Sequence, residues 1–415
     1  MSGQGDRRAG PTRPSGGTPR LLRAHNERAV LEHLRAAGPS SRPDLARIAG
    51  LSKPTVSQAL ANLEAAGLVR SVGPASPSLG RTAMLYEVDP TAGYVVGIDV
   101  GRAWIRVAAA DLSGEIVARR DERNRARSAG ALVKGVATVA HDVVAAAGLT
   151  WKRVAHTVVG GPGVFDPESD RLRHAPNVPG WSRPGVMSSL REALPPTVAL
   201  DNDANLAAVG ERTYGSGRDA GTFVYVSVGT GVGMGVIIDG ELYRGAHGAA
   251  GEVGYLPLGD DDEAGAAAGH DARRRGLMEE AASADAVVRT AKRLGMAGAT
   301  SAKRVFAAAR AGDPLALAAV ESEANRLALV VGTVAAIIDP EFVLLGGGVG
   351  SNTDLLRPPL ERRLAELTPL APPVAEGELG PDATVLGAVA SALDTARDLV
   401  FEQRAGFTTS ASLGA

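Results

Sequence analysis

The chain of 415 residues contains no cysteine. That absence removes disulfide cross-links, thiol nucleophiles and thiolate-bound zinc together. No apolar run reads as long enough to cross a bilayer. No stretch has the pattern of a secretory leader either, so a cytoplasmic protein is expected. There is no tandem repeat of the solenoid kind. Nor is there a G-x-x-x-x-G-K-[ST] run, which a Walker phosphate loop requires. Net charge is small, at −2, but it is unevenly spread. Residues 1–90 hold 12 lysines and arginines against 7 acids, a net of +5, leaving 32 against 39 and a net of −7 for the rest. A basic N-terminal segment on an acidic body suits a small nucleic-acid module joined to a body that binds something else.

The most informative stretch runs from Pro39 to Gly67. Ser41 can cap a first helix, with Asp44 completing a capping box and Pro43 tolerated in the opening turn. Gly50 permits a tight turn with Leu51 buried at the corner, and Ser52 caps a second helix that has Pro54 in its first turn. Leu45, Ile48, Val56, Leu60 and Leu63 fall at helical spacing and make one apolar seam. The other face of the second helix carries Ser52, Lys53, Thr55, Ser57, Gln58 and Asn62. These short donors and acceptors suit a helix that reads base edges in a major groove, whereas the simpler alternative is a helical hairpin with a solvated face. A preceding helix with Leu22, Val30, Leu31 and Leu34 on one stripe ends at Gly38. Two strand-like runs, 68–72 and 83–88, follow, joined by a loop tipped with Arg81. Three helices and a hairpin make a winged helix-turn-helix over 21–89, with Arg81 placed for a minor groove. Residues 1–20 read as a disordered tail.

After Asp89-Pro90 the pattern changes to α/β. Strands are expected at 94–100, 104–110, 115–119, 154–159, 198–200, 222–228, 234–238 and 342–345, with helices at 129–148, 206–212 and over much of 276–332. The body divides into two similar lobes, about 90–212 and 213–378. A closing helix over 379–398 returns to the first lobe, and 399–415 reads as a flexible tail.

Several motifs occur in a telling order: G-I-D-V-G at 97–101, G-G-P-G at 160–163, N-V-P-G-W at 177–181, D-N-D-A-N at 201–205, V-G-T-G-V-G-M-G at 228–235, G-A-A-G-E-V-G at 248–254 and L-L-G-G-G-V at 344–349. Together with the winged helix they resemble the ROK family of repressors, open reading frames and kinases, over about residues 20–395. The resemblance implies an α/β body with the actin-like (ribonuclease H-like) two-lobed ATPase fold and a sugar bound between the lobes. It places Asn202, Asp203, Glu252 and Glu279 on sugar hydroxyls, with Gly161 and Asn177 bordering the same cleft. In the family's kinases the position of Asp203 is the base that takes the hydroxyl proton during phosphoryl transfer.

Two departures from the family shape the expectation. Where its kinases read D-x-G-G-T-K, this chain reads Asp99-Val100-Gly101-Arg102-Ala103-Trp104, so the phosphate clamp is degenerate and ATP turnover is not expected. Where members often hold zinc through a histidine and three cysteines, the histidine position is Tyr255 and one cysteine position is Leu277. His247, His270 and the acidic run 260–263 make a poor substitute, so no metal is expected. Tyr255 also takes the place of a residue that contacts sugar. The expected protein is a sugar-responsive transcriptional regulator, a repressor by resemblance, binding operator DNA as a homodimer or higher oligomer and using no cofactor. A sugar kinase carrying a DNA-binding arm, and a regulator answering a protein partner, remain as alternatives.

Overall fold

The computed structural model of the chain describes residues 19–74, 83–166, 171–173, 178–257 and 276–406. Two compact units emerge. One comprises the residues up to Ala92 together with those from Asp398 onward, and the other is Gly93–Arg397.

The first unit opens with α1 (Pro19–Ala37), whose Val30, Leu31 and Leu34 are buried. Gly38, at φ +73°, ends it. A short strand β1 (Ser40–Ser41) leads into α2 (Arg42–Ile48), and α3 (Lys53–Ala65) follows. Strands β2 (Val69–Pro74) and β3 (Met84–Val88) pair antiparallel, and β1 adds itself to the far edge of β3. The sheet is therefore three-stranded, in the order β1-β3-β2, where the sequence suggests a simple hairpin. Leu45 packs with Val56, Leu60 and Leu63, all under 2 % exposed. Three expectations shift here. Ile48 is the last residue of the two-turn α2 and is 42 % exposed. Leu51 is half-buried rather than buried. Leu22 lies in the first turns of α1, ahead of the buried stripe, and stays exposed.

In the second unit the first lobe begins with β4 (Tyr94–Val100), β5 (Trp104–Asp111) and β6 (Ile116–Arg123), an antiparallel run. Helix α4 (Ala129–Ala146) leads to β7 (Val154–Gly161), and a short hairpin of β8 (Val164–Asp166) with β9 (Arg171–Arg173) follows. Then come α5 (Val186–Ala193), β10 (Val198–Asn202) and α6 (Asp203–Tyr214). The sheet order is β10-β7-β4-β5-β6, with β7 parallel to β4 and β10 parallel to β7. The second lobe has β11 (Phe223–Val228), β12 (Val232–Ile238), β13 (Glu241–Leu242), β14 (Val343–Gly346) and β15 (Val374–Glu376), in the order β13-β12-β11-β14-β15. With the separate β8–β9 hairpin left aside, each lobe thus places its own strands third, second, first, fourth, fifth, which is the internal kinship suggested by the sequence.

Helix α4 is long and apolar enough to cross a bilayer, contrary to the sequence expectation. Its Leu132, Val136, Ala140, Val143 and Val144 are instead buried in the first lobe's core with Val96, Ile98 and Val107. The last helix, Ala383–Ala405, packs on the first lobe as expected. A Cβ on Gly97 of β4 would lie 2.7 Å from the Val389 nitrogen, and one on Gly387 would lie 1.7 Å from the Leu206 carbonyl oxygen of α6. This helix begins four residues later than expected and continues through 399–405, so that part of the supposed flexible tail is helical.

Candidate functional site

In the first unit α3 is fixed at both ends. The Ser52 hydroxyl accepts the Thr55 N–H at 3.3 Å and bonds the Thr55 hydroxyl at 2.8 Å. Pro54 has no N–H to leave unsatisfied in that turn. At the other end, the Arg404 guanidinium donates to the carbonyls of Ala66 and Gly67, at 3.2 and 3.1 Å, and to that of Ala92. A cation there complements the negative end of the helix dipole. Between these anchors Lys53, Ser57 and Gln58 are exposed, with Thr55 half-buried. Asn62 departs from the reading role. Its amide donates to the carboxylate of Glu27 at 2.6 Å and its oxygen accepts from Gln58 at 2.9 Å. Glu27 is only 3 % exposed, so Asn62 ties α3 to α1. Arg81 lies outside the described residues.

In the second unit a cleft of about 890 Å³ opens between the lobes. Asn202, Asp203, Glu252 and Glu279 all line it. Asn202 is the N-cap of α6, accepting the N–H groups of Ala204 and Asn205 at 2.8 and 3.2 Å while its amide donates to the Gly163 carbonyl at 3.2 Å. Its polar atoms therefore serve the β10–α6 corner that delivers Asp203. One Asp203 oxygen accepts the Ala204 N–H at 2.9 Å. Glu252 follows Gly251, which is at φ +91° and where a Cβ would meet the Met234 carbonyl oxygen at 2.0 Å, so only glycine lets this loop lie against β12. Glu279, on the helix Leu277–Ala282, accepts the Val232 N–H at 3.2 Å.

These acids share one field. Burial pushes Asp203 up to about 6, against the pull of the Ala204 N–H and with added repulsion from Glu279. Burial and then the charges of Asp203 and Glu279 push Glu252 up to about 7. Asp99 on β4 is raised to about 6 by burial even though Arg106 donates to it at 2.8 Å. Such groups offer strong acceptors to hydroxyls, and perturbed carboxyls in a cleft mark a binding or catalytic place.

Of the other expected ligands, Gly161 sits under Trp181: a Cβ there would lie 2.6 Å from the indole, so its role is to make room. Tyr255 does not line the cleft. It is half-buried, its hydroxyl raised by burial and then by the charges of Glu252 and Glu279. Asn177 and His270 lie outside the described residues. Asn205 was not singled out by the sequence. It borders the cleft, is 3 % exposed, and its amide donates to Asp201 at 3.1 Å, while its oxygen has no partner among the described residues. Only its place in D-N-D-A-N hinted at it.

The turn between β4 and β5 also lines the cleft. The Gly101 N–H donates to the Trp104 carbonyl at 2.9 Å, and Asn124 ties the turn down through the carbonyls of Gly101 and Ala103 at 2.8 and 3.0 Å. The Arg123 guanidinium lies over the Trp104 ring, 4.1 Å from its centroid. Arg102, Ala103, Trp104 and Arg123 share the lining with the glycine loops 229–233 and 347–348.

A model of the ROK family matches residues 95–395, nearly the whole second unit. The chain belongs to the ROK family. A MarR family model matches residues 23–76, the segment from α1 to β2. A putative xylose repressor of Caldicellulosiruptor sp. (strain Rt8B.4) is 29 % identical over 359 residues, 82 % of this chain and 88 % of its own length. A glucokinase of Halalkalibacterium halodurans is 31 % identical over 314 residues, 71 % of this chain and 93 % of its own. Among solved structures, a ROK family transcriptional regulator described as a homologue of the E. coli MLC protein shares the fold over 93 % of this chain and 99 % of its own. Its TM-score is 0.73 at 21 % identity. A ROK glucokinase of Streptomyces griseus, solved with glucose and AMPPNP, covers 73 % of this chain and 100 % of its own, with a TM-score of 0.60 at 27 % identity. ROK relatives of this chain therefore include proteins named as repressors and proteins named as kinases.

Proposed function

We propose that the protein is a sugar-responsive transcriptional regulator, a repressor, whose α3 reads operator DNA and whose inter-lobe cleft takes a sugar or sugar derivative. The observation that carries this reading is α3 itself. It is a helix capped at both ends, buried along Val56, Leu60 and Leu63, with Lys53, Ser57 and Gln58 left outward. A coupling of about 1–3 kcal/mol between sugar and DNA is enough to switch occupancy several-fold. Two copies acting on paired half-sites, in the cytoplasm, complete the proposal.

A sugar kinase with a DNA-binding arm is the second reading, favoured by the half-buried Asp203 carboxyl in the cleft, whose proton is held up to about 6. Arg102 and Trp104 speak against it, because transfer depends on close positioning around the phosphoryl group and these bulky side chains stand in that turn, where Ala103 also lacks the hydroxyl of the kinases' threonine. The donor set does not suit the family's zinc either, since no thiolate exists and Tyr255 stands at the histidine position.

The test uses the full chain. Duplexes are selected from a random pool at physiological salt, and sugars are then titrated against the winning sequence. A selected duplex that competes about 1,000-fold better than random DNA, and whose binding shifts with one sugar class, is the expected result. Failure of any duplex to outcompete random DNA defeats the proposal. Sugar-dependent ADP release in a coupled assay, abolished by Asp203→Asn, would establish the kinase instead.

A further inference from the structure

The chain passes between the lobes twice, outward along α6 and back along the last helix. α6 leaves β10 and lies on the second sheet, where a Cβ on Gly235 of β12 would come 2.5 Å from the Ala204 carbonyl oxygen. The last helix leaves β15 and lies on β4 of the first sheet. The two helices also press on each other: a Cβ on Gly210 of α6 would lie 2.3 Å from the Ala383 carbonyl oxygen. Near their crossing the Thr384 hydroxyl donates to the Asp203 carbonyl at 3.2 Å. Residues 377–382 make the return passage, and Gly380, Pro381 and Thr384 line the cleft.

That passage is gripped at both ends. At one, Glu211 of α6, 0 % exposed, accepts the N–H groups of Glu378 at 3.2 Å and Leu379 at 2.9 Å. It also accepts the Ser216 N–H, in the loop leading to β11, at 3.1 Å. Among the described residues no lysine or arginine pairs with this carboxylate, so backbone N–H groups are what satisfy it. Glycine at 215 and 377 makes the room, since a Cβ there would stand 2.1 and 2.6 Å from the carboxylate oxygens. At the other end Asp382 accepts two bonds from the Arg119 guanidinium of β6, at 2.6 and 2.7 Å. Between the grips lies a single 3-10 turn, Gly380–Asp382. Gly380 stands at φ +52° with nothing within 4 Å of where a Cβ would be. The bonds of a 3-10 turn are poorer than those of an α-helix, and glycine is free to rotate.

We propose that Glu211 is a positioning residue of the inter-lobe cleft. It fixes residues 378–379 to α6 and so to the second sheet, while Arg119 and Asp382 fix the far end of the passage to the first, and the lobes turn about Gly380 and Pro381 between them. Hinges of this kind are a few residues at the ends of elements that absorb the backbone change. Finishing α6 locally would need only the bond from Ser216. The bonds from Glu378 and Leu379 reach 167 and 168 residues along the chain and hold the opposite crossing. Glu211 does not line the cleft; it acts through the wall that Gly380, Pro381 and Thr384 form beside Asp203.

The absence of cysteine makes the test clean, because two introduced cysteines become unique sites for spin labels. Lys134→Cys on α4 and Ala318→Cys on the helix Pro314–Ile338 put one exposed label on each lobe. Electron–electron double resonance on the full chain then reads the distance between the lobes, and a single band is expected. Glu211→Gln turns an amide NH2 toward a backbone N–H, and Asp382→Ala removes the other grip while leaving Arg119 its bonds to Asp121. Each is expected to broaden the band about twofold, with circular dichroism and a melting curve confirming the fold. A Glu211→Gln protein that melts lower yet keeps the parent's band overturns the inference, since a purely structural acceptor would behave that way. Should that variant not fold, Asp382→Ala decides, and an unchanged band overturns the inference in the same way. No ligand enters the measurement, so the sugar-responsive reading and this inference fail separately.

Discussion

Asp203 and Glu252 each keep a proton more tightly in the folded chain than their ordinary values of 3.8 and 4.5 allow, because burial disfavours the charge. The consequence for stability has a definite sign. The protonated forms favour the native state. That contribution is full below about pH 4 and is lost as pH rises through about 6 for Asp203 and about 7 for Glu252. Effector binding runs the other way, since hydroxyl donors prefer ionised acceptors. Sugar affinity is expected to fall several-fold between pH 7.5 and 5.5, and Asp203→Asn to weaken binding at pH 7.5 while flattening that limb. Calorimetry at both pH values checks it, and a wild-type affinity independent of pH would remove Asp203 and Glu252 from the contact set. DNA affinity without effector should be unchanged in the variant. At this scale the sequence was legible where a motif names a side chain and opaque where packing decides its use. Asp203, Glu252 and Glu279 do meet in one cleft. Asn62, one of a run of polar residues along α3, turned out to be claimed by Glu27 from a helix 35 residues away, which no local pattern reveals.

Among elements, α3 and its two anchors carry the sharpest expectations. Ser57→Ala or Gln58→Ala is expected to reduce operator affinity by about 1–3 kcal/mol and to relax preference at a single base pair. Anisotropy titrations against single-base operator variants read this, and a uniform loss across all variants would assign both side chains to phosphate instead. Arg404→Ala removes three charge-assisted bonds from the carbonyls of Ala66, Gly67 and Ala92. It is expected to destabilise the first unit by about 1–3 kcal/mol, read as a lowered melting midpoint. An unchanged midpoint would mean that water replaces the guanidinium without loss. Caps and seams of the helices were readable because Ser41, Ser52 and the glycines act locally. The third strand β1 was not, since two serines carry no strand signature and pair only because β3 has a free edge.

For the molecule as a whole, two sheets with the same strand order were foreshadowed by the recurrence of strands and glycine turns in each half, whereas the order itself depends on pairings between distant segments that no local pattern reveals. Metal content is a whole-molecule property that composition reaches directly. Protein purified without a histidine tag is expected to carry zinc well below one per chain by elemental analysis, and a stoichiometric amount surviving dialysis against chelator would contradict that. The last helix has a different bearing. Its final turns supply Asp398 to Arg28, Phe401 to the face of the same arginine and Arg404 to the end of α3. The residues of α1 and α3 are therefore matched to a helix that lies more than 300 residues later in the sequence. A hybrid built by exchanging only an N-terminal segment between relatives would join a reading helix to a foreign clasp. Exchange of specificity within such a lineage has to carry both segments at once or re-evolve the second after the first.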